Sequence, residues 1–455
     1  MRISSIPSEL IIQNQIRFES KYYLNEHSFN SMKVERMRDK SFPLSSVAEV
    51  FNPSIFKRQF CKPTPRAVQY FQSSDVPNSS EFSSTYVSKS QAESLNLLVK
   101  EKDILITGFG SIGNTRLVSK YQDGVCYANN VCRVRVIPTA KVGFIYAFLS
   151  SKFGHSQLNK NASGSVVRYI EAPGIKKTLI PDFPEDFQKE VDDLIQESAR
   201  LREEATDALN YAIKLIDDFC GKPFESTSGC KSSAMSISDI RDSYNLRFDA
   251  PVFINEGVQW LSDIKRPTKR LGDCEIKTWY PGIFKRIYVK NGLPYIKGSA
   301  LFLSNPFKSC DNLSRTKTPQ LDELWLKERM LLISCAGACG DVKLITKEYE
   351  DKKAIGSPDI IRLTSSDALY TTEYIFAYLQ IPAIYDFMQS LKYGSVIERF
   401  DKYSVENIPI VEPTEELSKM VTEIINHYAD CTYRAFVSEE KAITMVEQEI
   451  EKWNN

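Results

Sequence analysis

The sequence predicts an α+β protein built twice: two tandem mixed α/β domains, each followed by one long helix, with an internal pseudo-two-fold duplication. Three observations carry this. Seven segments recur in the same order at a nearly constant offset. A heptad-like stripe closes each copy. The composition, 42% hydrophobic and 25% charged over 455 residues, is that of folded domains, and Gly 19 and Pro 21 are too few for a disordered or collagen-like chain.

The repeat is read directly from the residues. Arg17-Phe18 recurs as Arg247-Phe248, and Pro53-Ser-Ile-Phe-Lys-Arg58 as Pro281-Gly-Ile-Phe-Lys-Arg286. VQYFQSSDV (68–76) matches LPYIKGSAL (293–301), and KEKDILITGFGSIGNTRLVSK (100–120) matches KERMLLISCAGACGDVKLITK (327–347). GFIYAFLSS (143–151), GSVVRYIE (164–171) and Ile180-Pro181 recur as EYIFAYLQI (373–381), GSVIERFD (394–401) and Ile408-Pro409. The offsets run only from 225 to 230. In each copy, short β-like runs such as DILITG and CRVRVIP are bounded by Gly, Asn and Pro, and shorter helical stretches sit among them.

The long helices are read from spacing. In the first copy Phe187, Val191, Leu194, Ser198, Leu201, Ala205, Ala208, Ala212, Leu215 and Phe219 alternate at 4 and 3. Leu417, Val421, Ile424, Tyr428, Cys431, Ala435, Ser438, Ala442, Met445 and Glu449 repeat that seam, and subtracting 230 superposes the two. Pro184 and Pro413 stand where each helix begins. Each helix spans about 50 Å at ~1.5 Å per residue. Small seam residues suit close approach, so the two helices are expected to pack on each other. Boundaries are expected at 1–181 (first domain), 184–220 (first helix), 221–243 (a Ser/Gly-rich linker), 244–411 (second domain) and 413–453 (second helix).

Little catalytic chemistry is legible. Gly108-Phe-Gly-Ser-Ile-Gly113 spells GxGxxG, but TRLVSKYQDG follows it as a strand and turn, no acid lies about 20 residues on, and the second copy, Cys335-Ala-Gly-Ala-Cys-Gly340, loses the first glycine. It reads as a tight turn between strands. The sequence has no P-loop, no HExxH, no GxSxG and no [DN]PPY. The ten cysteines form no CxxC, and Cys335 and Cys339 lack partner ligands, so no metal site and no catalytic residue is assigned. No long apolar h-region opens the chain and no run of about 18 apolar residues occurs. A cytoplasmic protein with reduced thiols and no membrane partner is expected.

The duplication itself points to a ligand. Two similar domains can meet a ligand with its own local dyads, and double-stranded DNA is the obvious one. Lys+Arg 58 against Asp+Glu 58 excludes a non-specific DNA coat but not local basic patches. Ile-Phe-Lys-Arg is identical in both copies, which places Lys57, Arg58, Lys285 and Arg286 as phosphate contacts, the kind that carry no sequence information. Base-reading residues should differ between copies. Gln72, Ser73 and Ser74 stand opposite Lys297, Gly298 and Ser299, and Gln and Lys suit adenine and guanine edges. Ser165 and Ser395, each after a glycine, are either a small turn or a backbone contact to phosphate. Lys265, Arg266, Lys269 and Arg270 add positive charge.

The series LPYIKGSAL, KERMLLISCAGACGDVKLI, GSPDIIRL, EYIFAYLQ, LKYGSVIERFD and IPIVEP leading into a long helix resembles the specificity (S) subunit of Type I restriction–modification systems, with the first half a more diverged version. The resemblance implies two target recognition domains, each reading half of a split DNA site. It implies helices packed as an antiparallel coiled coil that sets the unread gap and docks two methyltransferase (M) subunits. Restriction/translocase (R) subunits would join them. The chain itself would bind no cofactor; S-adenosylmethionine, ATP and Mg2+ would belong to its partners. The rivals are a targeting subunit of another DNA-modifying defence system, an unusual methyltransferase or nuclease, and a protein-only coiled-coil scaffold.

Overall fold

Each copy of the repeat builds one main antiparallel sheet from its apolar runs and adds a short parallel strand pair beside it. The computed structural model describes residues 25–162, 168–221, 236–242, 246–335, 339–394 and 398–454. They form two compact units, one of the described residues up to Glu203 with those from Ala435 on, the other of Glu204–Arg434.

The first unit holds β1 (Ser41–Pro43), β2 (Ala48–Phe51), β3 (Phe60–Cys61), β4 (Ala67–Phe71), β5 (Tyr86–Ser88), β6 (Ile104–Thr107), β7 (Thr115–Leu117), β8 (Cys126–Tyr127), β9 (Val131–Val136) and β10 (Leu179–Pro181). Its main sheet runs β2-β9-β6-β7, all antiparallel, with Ile104 opposite Val134. All four residues of β6 are buried, as expected of a central strand covered on both faces. A second sheet, β3-β5-β4-β8, ends in a parallel pair, Tyr70 opposite Cys126 and Phe71 opposite Tyr127. The helix Val142–Ser150 lays Phe144 and Phe148 against Ile104, Ile106 and Val134 in the core.

The second unit repeats this order. It holds β11 (Thr268–Arg270), β12 (Ile276–Trp279), β13 (Tyr288–Ile296), β14 (Asp311–Leu313), β15 (Leu331–Ser334), β16 (Val342–Leu344), β17 (Ile355–Gly356), β18 (Ile360–Ser365) and β19 (Pro409–Val411). The main sheet runs β12-β18-β15-β16, and β13 pairs in parallel with β17 through Tyr295–Ile355 and Ile296–Gly356. The segments VQYF and LPYI, dissimilar as text, therefore hold the same place.

The GxGxxG stretch is the hairpin between β6 and β7, so strand–turn–strand replaces the strand–turn–helix that a dinucleotide site needs. Gly113 at φ 84° and Gly340 at φ 87° occupy the same left-handed position, which explains why that glycine recurs. At Gly108 a Cβ would meet the Ile170 and Asn130 carbonyl oxygens at 2.7 and 2.8 Å, a close approach that the second copy meets with Cys335 instead.

The long helices run Glu185–Cys220 and Glu415–Trp453. Acidic first turns, Glu185-Asp186 and Glu415-Glu416, complement the helix dipole, and Thr414 Oγ1 accepts from the Leu417 amide at 3.2 Å. In the first unit Ser198 Oγ donates to the Ala435 carbonyl at 2.8 Å, and Phe183, just before the first helix, meets Trp453 edge-on at 5.0 Å. Rising numbers on one helix meet falling numbers on the other, so the pair is antiparallel. In the second unit Glu204 meets His427 at 2.9 Å, and Ala212, Ile216 and Cys220 share one core with Leu417, Val421 and Ile425.

The buried face departs from the expected seam. Val191, Ile195, Leu201, Ala205, Ala212, Ile216 and Cys220 are buried, while Leu194, Ala208, Leu215 and Phe219 are only half-buried. Adding 230 gives Val421, Ile425, Cys431, Ala435, Ala442, Val446 and Ile450, all buried. The steps of four at 191–195 and 212–216–220 belong to a helix that faces a globular core as well as another helix. Among the described residues, no helix is long and apolar enough to cross a membrane. Linker residues 222–235 and 243, residues 244–245 at the start of the second domain, and Arg17-Phe18 lie outside the described residues.

Candidate nucleic-acid interface

Two irregular loops, 52–59 and 280–287, follow the first strand of each main sheet and carry the repeated Ile-Phe-Lys-Arg. Lys57, Arg58, Lys285 and Arg286 are all exposed. In each loop the phenylalanine anchors the chain. The Phe56 ring meets Tyr70 edge-on at 6.3 Å, and Phe284 packs on Leu293, Tyr295 and Leu313.

Tyr70 and Tyr295 are the link to the second group of expected residues. They occupy equivalent places in β4 and β13, two residues before Gln72 and Lys297. Arg286 Nε donates to Tyr295 Oη at 2.7 Å, and its guanidinium lies 3.6 Å from Asp359. In the first unit burial pushes the Tyr70 hydroxyl upward, with the Arg58 charge acting against it. Each unit thus brings its Lys-Arg loop and its variable turn to the same tyrosine.

The two turns differ in their side chains and contacts. Gln72 is exposed, and its amide donates to Asp75 Oδ2 at 2.7 Å, closing the 3-10 turn Ser73–Asp75. Ser74 is exposed, but the Ser73 hydroxyl is buried without a hydrogen-bond partner. In the second unit Lys297 is exposed and pairs with Asp311 at 2.6 Å, which holds its pKa above the ordinary lysine range. Gly298 is half-buried and Ser299 exposed. Ser165 and Ser395 lie outside the described residues. Three of the four basic residues at 265–270 are engaged locally. Arg266 stacks on Phe219 at 3.9 Å, Lys269 sits over Tyr370 at 4.1 Å, and Arg270 pairs with Asp273 at 2.7 Å.

Sequence reasoning missed two residues that hold the chain beside these tyrosine strands. Arg133 in β9 and Arg362 in β18 are fully buried. Arg133 donates to the carbonyls of Leu97 at 2.9 Å, Tyr127 at 2.7 Å, Ala128 at 3.0 Å and Val131. Arg362 donates to those of Gly356 at 2.8 Å, Ser357 at 3.1 Å and Ile360 at 2.7 Å. Both clamp the chain next to the short strand that pairs with the tyrosine strand, and burial lowers both guanidinium pKa values to about 10. The signal was an arginine inside an otherwise largely aliphatic strand at the same place in both copies, accompanied in the first by Arg135.

The Type I restriction modification DNA specificity domain model matches residues 268–432, from β11 into the second long helix. This stretch of the chain is similar to a DNA specificity domain of that kind. The chain as a whole resembles the specificity subunit of Type I restriction–modification systems, with the first unit repeating the sheet of the matched one. Among solved structures it is similar to the Type I restriction-modification S subunit from M. genitalium, at 13% identity over 89% of this chain and 95% of that one, TM-score 0.37. It is also similar to the HsdS subunit from Thermoanaerobacter tengcongensis, at 14% identity over 90% and 95%, TM-score 0.27. Compared with curated proteins, the chain matches none.

Proposed function

We propose that this chain is the sequence-specific DNA-recognition subunit of a Type I restriction–modification complex, each unit reading one half of a bipartite site in double-stranded DNA. One observation supports this above the others. The repeated Lys-Arg loop stands beside the same tyrosine in both units, next to a turn that differs between them. Sameness suits phosphate, which is uniform along DNA; difference suits bases. On this reading Lys57, Arg58, Lys285 and Arg286 hold phosphates, and Gln72, Ser74, Lys297 and Ser299 approach base edges. Ser73 and Gly298 complete the turns around them, and Ser165 and Ser395, each after a glycine, would offer phosphate a backbone contact.

The chain performs no chemistry in this scheme. Two M subunits dock on the long helices and nearby faces and modify adenine with S-adenosylmethionine, and R subunits use ATP and Mg2+ to cleave unmodified DNA. The helices fix the gap between the two half-sites.

Modified-base sequencing of host DNA with and without the gene tests this. A split adenine-methylated motif that disappears on deletion is the expected result. An unchanged methylome in cells that make the methyltransferase subunits would overturn it.

A further inference from the structure

Loops 52–59 and 280–287 share more than sequence. From Pro53 to Arg58 and from Pro281 to Arg286 their burial runs in parallel: Pro53 and Pro281 buried, the next two residues exposed, Phe56 and Phe284 half-buried, Lys and Arg exposed. Within this pattern Ile55 is 88% and Ile283 90% exposed, the two most exposed large hydrophobic side chains among the described residues. A single isoleucine in water is ordinary. The same isoleucine at the same point of both copies is not, because the residues around it change: Asn52, Ser54 and Gln59 become Tyr280, Gly282 and Ile287. A buried proline two residues before and an anchored phenylalanine directly after hold the backbone on each side of it. β-Branching also leaves the side chain few rotamers to lose on binding.

We propose that Ile55 and Ile283 are apolar wedges that press into the DNA duplex, one per unit, at a base step whose flanking phosphates are held by Lys57–Arg58 and Lys285–Arg286. The proposal rests on the DNA-recognition reading above. The chemistry selects this ligand. Each isoleucine is followed within three residues by two cations, and neither loop contains an acidic residue. Its complement is an apolar slot bordered by negative charge. A partly unstacked base step between two phosphate rows is such a slot, and aliphatic side chains are known to fill it. Since unstacking costs least at flexible pyrimidine–purine steps, the wedges would favour such steps without reading a base edge.

The test uses the full chain together with the methyltransferase subunits that co-purify with it. Two probes are used: a pool of random-sequence duplexes for affinity across salt concentrations, and a closed circular plasmid relaxed by topoisomerase in the protein's presence for unwinding. The parent complex is expected to bind the pool with a salt-dependent affinity and to change the plasmid's linking number. The I55S/I283S variant is expected to bind about tenfold more weakly or worse, the loss expected when aliphatic burial is removed. Its salt slope should stay unchanged, because the slope counts phosphate contacts, and its linking-number change should disappear. I55L/I283L should restore both. Serine at such exposed positions removes no packed atom, so thermal melting should match the parent. Parent-like binding and unwinding by I55S/I283S would overturn the wedge, as would a loss of affinity that comes with a flattened salt slope. Intact DNA binding with loss of the co-purifying subunits would also overturn it and make the loops a protein-docking surface. A parent complex that binds neither probe at low salt would bring down the DNA reading itself.

Discussion

Arg133 and Arg362 show how a buried charge can shape the chain beneath a surface without reaching it. A guanidinium has five donors in a rigid fork, and here the terminal nitrogens converge on main-chain carbonyls, while each Nε is buried without a hydrogen-bond partner. Arg362→Leu would leave the carbonyls of Gly356, Ser357 and Ile360 without these donors. At about 1–3 kcal/mol for each buried group left unsatisfied, a loss of at least about 3 kcal/mol is expected, read as a lower urea midpoint of the full chain. Arg362→Lys should recover little, because one ammonium cannot span three carbonyls held by a fork. The exposed residues behave differently. Lys285→Ala and Arg286→Ala should leave stability almost untouched and weaken DNA binding for all sequences alike, each lowering the salt slope by up to about 1. Arg286 already shares its charge with Asp359 at 3.6 Å, so its slope change should be the smaller of the two. Binding isotherms across a salt series would show this, and unchanged binding by both variants would remove the pair from the interface.

At the scale of elements, what the sequence revealed depended on length and periodicity. Both long helices were legible to within two residues, because about ten turns of regular spacing leave no competing pattern. Their buried face was less so. A strict 4-3 alternation assumes that a helix meets only another helix, whereas Ile195, Ile216, Ile425 and Val446 join the globular cores as well. The glycine turn was legible because its second copy lost the first glycine but kept Gly340, whose φ is positive. The β4–β8 and β13–β17 pairs were not. Two residues of parallel pairing leave no period in the text, and pairing over 56 and 60 positions of sequence is invisible to a local reading. The same limit hid the geometry of the interface. The repeat could mark Lys57-Arg58 and Gln72 separately, but only the fold brings both to Tyr70.

At the scale of the whole molecule, duplication explains why a chain with zero net charge can still be read as a DNA-binding protein. On the proposed reading the basic residues that matter are a few on two loops, and the absence of a large net positive charge limits non-specific coating. Duplication also divides the helices. The described residues from Ala435 on belong with the first domain, and Glu204–Cys220 with the second, so each compact unit is built from both long helices. On the proposed reading the helices set the length of the unread gap, and that length should be adjustable. Inserting one heptad after Glu203 and another after Arg434 keeps each buried face in phase and lengthens each helix by about 10.5 Å at ~1.5 Å per residue. At ~3.4 Å per base pair this is about three base pairs. The methylated motif of cells carrying this variant should keep both half-sites and gain about three unread positions between them. Inserting two residues in each helix rotates the buried face by about 200° and should abolish methylation altogether. A motif whose gap is unchanged by the heptad insertions would show that the helices do not set the spacing.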